Sequence, residues 1–204
     1  MINFYFRGKN TEKKVALTFD DGPSEETEKV LDILKKDKAK GTFFIWGQRI
    51  KGREEIIKRA IHEGNEIGNH TYSHKNLWFI SKEKITQEIK DCDKELEEIG
   101  IKTNLFRPPK FRMGINLFRA LKKLNKKLIL CDAISNDWRK KGVEYAVKRV
   151  LKKTKNGSIV NFHDYLEGVG TNKEIIPILE TVLSKLKDKY KFVTVSELLG
   201  FKCQ

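Results

Sequence analysis

Short β-rich runs alternate with longer amphipathic runs along almost the whole chain, and no other feature restricts its fold as strongly. Runs at residues 15–19, 41–45, 66–68, a short one ending at Phe106, 127–131, 158–162 and 192–195 read as strands. Helical patterns fall between them, near residues 25–36, 54–62, 81–98, 115–124, 143–153 and 173–187. In the first of these, Val30, Leu31 and Leu34 make an apolar stripe, and Ser24 offers a capping side chain before it. Strand–helix alternation builds parallel sheets, because each helix carries the chain back to start the next strand. Six or seven such pairs predict an α/β fold, a single-domain distorted (β/α) barrel with about seven parallel strands. The length of 204 residues suits one core, and no linker, low-complexity tract or internal repeat divides it. Residues 1–204 are therefore expected to form one domain.

In a barrel of this kind, side chains at the C-terminal ends of strands share one mouth. Polar chemistry collects at those positions. Asp20 and Asp21 follow the first strand, His70 and His74 the third, Arg107 the fourth, Asp137 the fifth, and His163 and Asp164 the sixth. A turn before Gly22-Pro23 explains one of the two adjacent carboxylates and leaves the other without a reason. His70 and His74 stand four apart, a spacing that on a helical turn puts two imidazoles on one face. Two imidazoles and a carboxylate are a set that can hold a divalent ion and leave positions open for water and substrate.

Charge and cysteine content narrow the alternatives. The 42 basic and 28 acidic residues give a net charge of +14, which favours anionic partners. The lysines are scattered, however, and do not interleave with aromatic residues, so specific nucleic-acid recognition is not expected. Cys92, Cys131 and Cys203 are too few and too dispersed for a disulfide framework or a zinc knuckle. No stretch is apolar enough to cross a bilayer, and the first residues lack the apolar segment of a secretory signal. The expected location is the cytoplasm, or the cell envelope or exterior if an export segment has been removed. Oligomeric state has no signature in the sequence.

"TFDDG" at 18–22, "HTYSH" at 70–74, "FRPPK" at 106–110, "NDW" at 136–138 and "IVNFHD" at 159–164 resemble the five ordered motifs of the polysaccharide deacetylases, carbohydrate esterase family 4, with the NodB homology domain. The resemblance implies a metal-dependent hydrolase that removes N-acetyl groups from N-acetylglucosamine-containing glycans such as peptidoglycan or chitin. It implies that Asp21, His70 and His74 hold one divalent ion, zinc first, with cobalt, nickel and iron also compatible. Asp20 would be the general base and His163 the catalytic acid, held protonated and oriented by Asp137. The backbone N–H of Lys110 would stabilise the oxyanion, and Trp138 would form a pocket wall. Arg107 would pair with a site carboxylate, and Lys40 would form an ion pair with Asp20.

The chain departs from the family pattern at three places. Lys110 stands where the third motif commonly has tyrosine, and Ile134 stands where many members carry aspartate. At Asn161 the family usually places an apolar residue lining the acetyl pocket, so this amide is read as a substrate contact. Asn161, the missing export signal and the basic charge keep two other readings open. One is a deacylase of a small or lipid-linked N-acyl sugar or another amide, and the other a non-catalytic glycan- or nucleic-acid-binding module.

Overall fold

The computed structural model describes residues 4–9, 11–139 and 141–201. Two short strands, β1 (Phe4–Tyr5) and β7 (Ala133–Ile134), join strands β2 (Lys14–Asp20), β3 (Gly41–Ile45), β4 (Glu66–Asn69), β5 (Leu105–Phe106), β6 (Lys127–Ile129), β8 (Ile159–His163) and β11 (Lys191–Val193) in one sheet. A hairpin of β9 (Tyr165–Leu166) and β10 (Gly170–Thr171) stands apart from it. The helices are α1 (Glu25–Lys36), α2 (Glu54–His62), α3 (Lys82–Glu98), α4 (Ile115–Lys123), α5 (Val143–Lys153), α6 (Ile175–Leu186) and α7 (Val195–Leu199).

Every pairing within the main sheet is parallel, in the order β1-β6-β5-β4-β3-β2-β8-β7, with β11 also on β2. Among the described residues no pairing joins β1 to β7, so the sheet curls without closing into a full ring. An antiparallel bridge from Arg7 to Ser158 spans part of that seam. All seven expected strands are present, and the two-residue β1 and β7 bring the sheet to nine. The run expected over 127–131 also ends at Ile129, and Val195 opens a helix, with Thr194 Oγ1 accepting from Glu197 N at 3.2 Å.

Strand periodicity explains how the site is raised. Val15, Leu17 and Phe19 pack outward with Phe43, Phe162 and the apolar stripes of α1 and α6. Phe19 stacks on Phe43 and on Phe162, with ring centroids 4.9 and 5.7 Å away. Ala16, Phe44, Ile129 and Ile159 pack together on the inner side. The same alternation sends Thr18 and Asp20 inward from β2, and Asn161 and His163 from β8. Register places Asp20 beside Phe44 on one flank and beside His163 on the other, all at strand C-termini.

Cys92 is buried with Sγ 3.5 Å from Ile45 O, and burial pushes its thiol up. Burial also pushes the Cys131 thiol up to about 12, so neither carries a reactive thiolate near neutrality. Cys203 lies outside the described residues. Among the described residues no helix is long and apolar enough to cross a membrane.

Candidate active site

β2 ends at Asp20, and Asp21 then takes a left-handed backbone conformation, φ 76°. On a continuing strand two neighbouring side chains would face opposite ways; this turn brings both carboxylates to one cleft. The turn is packed tightly from below. A Cβ on Gly22 would lie 2.5 Å from Asp164 Oδ2, and that same carboxylate oxygen accepts from Thr27 Oγ1 at 2.5 Å. Burial raises the Asp164 carboxyl to about 7, with the charges of Asp21 and Asp20 acting in the same direction against the Thr27 hydrogen bond.

His70 and His74 also reach the cleft, though not on a helix. Residues 70–74 form an irregular loop, with Thr71 and His74 at φ 70° and 55°. The pair is the expected one, but left-handed residues rather than a helical turn converge the two rings. His70 Nε2 and His74 Nε2 lie 3.2 and 3.0 Å from the same oxygen, Asp21 Oδ1. The three ligand atoms are within 4.8 Å of one another and all three residues are buried.

This arrangement fits a divalent cation. His70 Nδ1 is 2.8 Å from Arg107 O, a carbonyl that can only accept. Nδ1 therefore carries the proton in the neutral ring, and Nε2 presents a lone pair toward Asp21. Lone pairs facing a carboxylate oxygen repel unless a proton or a metal lies between them. Asp21 Oδ1 is buried and receives no hydrogen bond among the described residues, as a cation's ligand atom would. With no ion present, burial pushes the Asp21 carboxyl up, but His70 and His74, when protonated at Nε2, donate to it, and together with the charge of His163 they hold the group well below the usual carboxylate range.

Asp20 stands outside this cluster. Its Oδ1 accepts from Arg107 Nη1 at 2.7 Å and its Oδ2 from Asn161 Nδ2 at 2.8 Å. Arg107 is completely buried in the barrel interior, 4.1 Å above the Phe44 ring. It also donates to Thr18 Oγ1 at 2.7 Å, Ile129 O at 3.2 Å and Leu130 O at 3.2 Å. Arg107→Met is expected to destabilise the protein by about 3–5 kcal/mol, because it leaves a buried carboxylate unpaired. A denaturant midpoint unchanged from wild type would contradict that coupling.

Two expectations are corrected here. Lys40 precedes β3 and so lies at the N-terminal end of the sheet, opposite the mouth, where its ammonium bonds Glu63 O rather than Asp20. Asn161 is completely buried, does not line the cleft, and turns its amide to Asp20 rather than toward a substrate.

On the other flank, Asp137 Oδ1 accepts from His163 Nδ1 at 2.8 Å, and its Oδ2 accepts from His163 N at 2.8 Å. Asn172 Nδ2 bonds Asp137 Oδ2 at 3.2 Å and His163 O at 2.8 Å, which fixes the pair. Burial presses His163 toward its neutral form, yet Asp137, Asp21 and Asp20 lift it to about 10. Trp138 meets His163 edge-on at 5.0 Å and lines the cleft, as do Lys110 and Phe111, both in left-handed backbone, φ 56° and 52°. Ile134 lies in β7, its carbonyl accepting from Arg149 Nε at 3.3 Å.

The cleft encloses about 640 Å³, and Asp20, Asp21, His70, His74, His163 and Trp138 all line it. Sequence reasoning did not find Glu167, Asn172 or Trp46, whose ring stacks on His74 at 4.8 Å. Glu167 and Asn172 lie on or just after the β9–β10 hairpin, which shows neither helical nor strand periodicity, and nothing in one sequence singles them out.

A family model described as polysaccharide deacetylase matches residues 7–129. A peptidoglycan-N-acetylglucosamine deacetylase of Bacillus cereus is 39% identical over 197 residues, 95% of this chain and 91% of that protein. A peptidoglycan-N-acetylmuramic acid deacetylase of Bacillus subtilis is 37% identical over 198 residues, which are 95% of this chain but 40% of that longer protein. A crystal structure of a peptidoglycan N-acetylglucosamine deacetylase bound to a naphthyl N-hydroxybenzamide superposes with a TM-score of 0.91 at 30% identity, covering 98% of this chain and 94% of that one. Ordered motifs, curled parallel sheet and near-complete coverage agree that this chain belongs to the polysaccharide deacetylase family.

Proposed function

We propose that this protein is a metal-dependent hydrolase that removes N-acetyl groups from an N-acetylglucosamine-containing glycan of the peptidoglycan type. One observation carries this reading: a three-ligand cluster, a carboxylate outside it and a histidine–carboxylate pair all face one cleft. Hydrolysis of an amide needs these parts separately, since a carboxylate committed to a metal is a poor base.

Asp21, His70 and His74 would hold one divalent ion, which when bound polarises the amide carbonyl and lowers the pKa of water. Asp20 accepts the proton of the attacking water, and Arg107 and Asn161 keep its carboxylate in place without occupying every lone pair. Oxygen adds to the carbonyl carbon, and the backbone N–H of Lys110 is assigned to the developing oxyanion. His163 gives its proton to the leaving nitrogen as the carbon–nitrogen bond breaks, producing acetate and a free amine. Asp137 keeps that imidazole charged and aimed. Zinc is the metal favoured by two imidazoles and one carboxylate.

Exposed Trp78 and Trp138 line the cleft, which suits stacking of sugar rings along an extended chain. Arg112 and Arg139 line it too and suit the carboxylates that peptidoglycan carries. The test compares acetate or formate release from peptidoglycan fragments, chitin oligomers, monomeric N-acetylglucosamine and a formamido sugar. Oligomers are expected to be the better substrates, by about tenfold or more from added subsite contacts. Preferential turnover of the monomer or the formamido sugar would replace this reading with that of a small-sugar deacylase.

A further inference from the structure

His70 and His74 are supported differently. The remaining nitrogen of His70 has a fixed backbone acceptor, Arg107 O at 2.8 Å. The remaining nitrogen of His74, Nδ1, is buried and has no hydrogen-bond partner among the described residues. Glu167 Oε2, on the tip of the β9–β10 hairpin, lies 3.4 Å from it. That distance is just beyond hydrogen-bond range, and Glu167 is 42% exposed, free to settle closer by a rotamer adjustment. The same oxygen is held by Lys110 Nζ at 2.8 Å. The hairpin itself is anchored near His74, since Tyr165 packs against Trp46 at 6.1 Å and Trp46 stacks on His74 at 4.8 Å.

We propose that Glu167, clamped by Lys110, is a positioning residue of the metal centre: its carboxylate takes the Nδ1–H of His74 and fixes that ring's tautomer and direction. Glu167 lies beside the nitrogen that points away from Asp21, so it acts through His74 and is not itself a ligand. Outer carboxylates on ligating histidines hold the ring and raise its donor strength. The lysine at 110, where the family pattern commonly has tyrosine, thereby gains a partner, and it and Glu167 work as a unit across the cleft mouth. The proposal rests on the reading of Asp21, His70 and His74 as metal ligands.

The test is competition for Zn²⁺ between the protein and a chromophoric chelator, with no substrate present. Glu167→Ala is expected to weaken zinc binding about 10- to 100-fold, and Glu167→Gln by less, because the amide oxygen can still accept. Lys110→Met is expected to weaken it by a smaller factor. The double variant Lys110→Met/Glu167→Ala should bind no worse than Glu167→Ala alone. The metal-free variants should keep the wild-type unfolding midpoint, since both side chains are about half-exposed. Zinc affinity of Glu167→Ala within twofold of wild type, or losses in the two single variants that multiply, would overturn the proposal while leaving the metal centre intact. Failure of the wild type to bind zinc would overturn the ligand assignment as well.

Discussion

Asp20→Asn is expected to reduce acetate release by about 10³-fold, within the range for loss of a general base, while divalent-ion binding stays at the wild-type level. The new side chain is close in size and loses only the charge and the proton-accepting oxygen. The surroundings can absorb it: Asn161 Oδ1 is buried and has no hydrogen-bond partner among the described residues, so the Asn161 amide can flip and accept from the introduced amide. Arg107 keeps an oxygen acceptor at Oδ1 and its bonds to Thr18 Oγ1, Ile129 O and Leu130 O. It does lose its counter-charge, so a modest fall in stability accompanies the catalytic loss. Metal titration and acetate release on the same preparation separate the two effects. Turnover near wild type would remove Asp20 from the chemistry, and loss of metal together with turnover would make it a ligand.

His163→Ala is expected to cost about 10²–10⁴-fold in turnover, least for substrates whose leaving nitrogen needs no proton. Asp137→Asn should act through the same imidazole, and pH reveals how. An acid in the proposed role must be protonated, and Asp137, Asp21 and Asp20 overcome burial to lift His163 to about 10. A divalent cation, if held by Asp21, His70 and His74, would oppose that rise. Removing the Asp137 charge lowers it further, and the alkaline limb of kcat/KM should move to lower pH by about one unit or more. The same linkage applies to stability. His163 is raised above its unfolded value of about 6.5, so its contribution is fully present below that pH and is lost as pH rises through about 10. A pH profile of Asp137→Asn that overlays the wild type would show that the pair does not set the acid.

The strand–helix alternation made the sheet legible, because buried parallel strands are continuous apolar runs that end abruptly in polar residues. β2, whose buried run Val15–Phe19 ends at Asp20, illustrates this. Strand ends in turn gathered the polar residues at one mouth, which is why Asp20, Asp21, His70, His74, Asp137 and His163 could be picked out before their distances were known. Other features needed three dimensions. Lys40 sits at the start of a strand, and only the parallel register shows that this end is remote from Asp20. Asn161 lies two residues before His163 and shares its face, yet its depth in the barrel turns it to Asp20 rather than to the cleft. The loop from His70 to His74 converges through left-handed residues that have no glycine to announce them. Glu167 comes from a hairpin whose position depends on Trp46 and Tyr165, residues far apart in the chain.

The fold alone does not make an enzyme, since function depends on particular side chains grafted onto it. If Asp21, His70 and His74 serve a metal so that Asp20 and His163 can move protons, acetate release from N-acetylglucosamine oligomers must follow the metal, measured before chelation, after complete removal of divalent ions, and after zinc is restored. Acetate and free amine should appear in equal amounts, stripping should abolish activity, and one equivalent of zinc should restore it. Undiminished acetate release from fully stripped protein would contradict the claim.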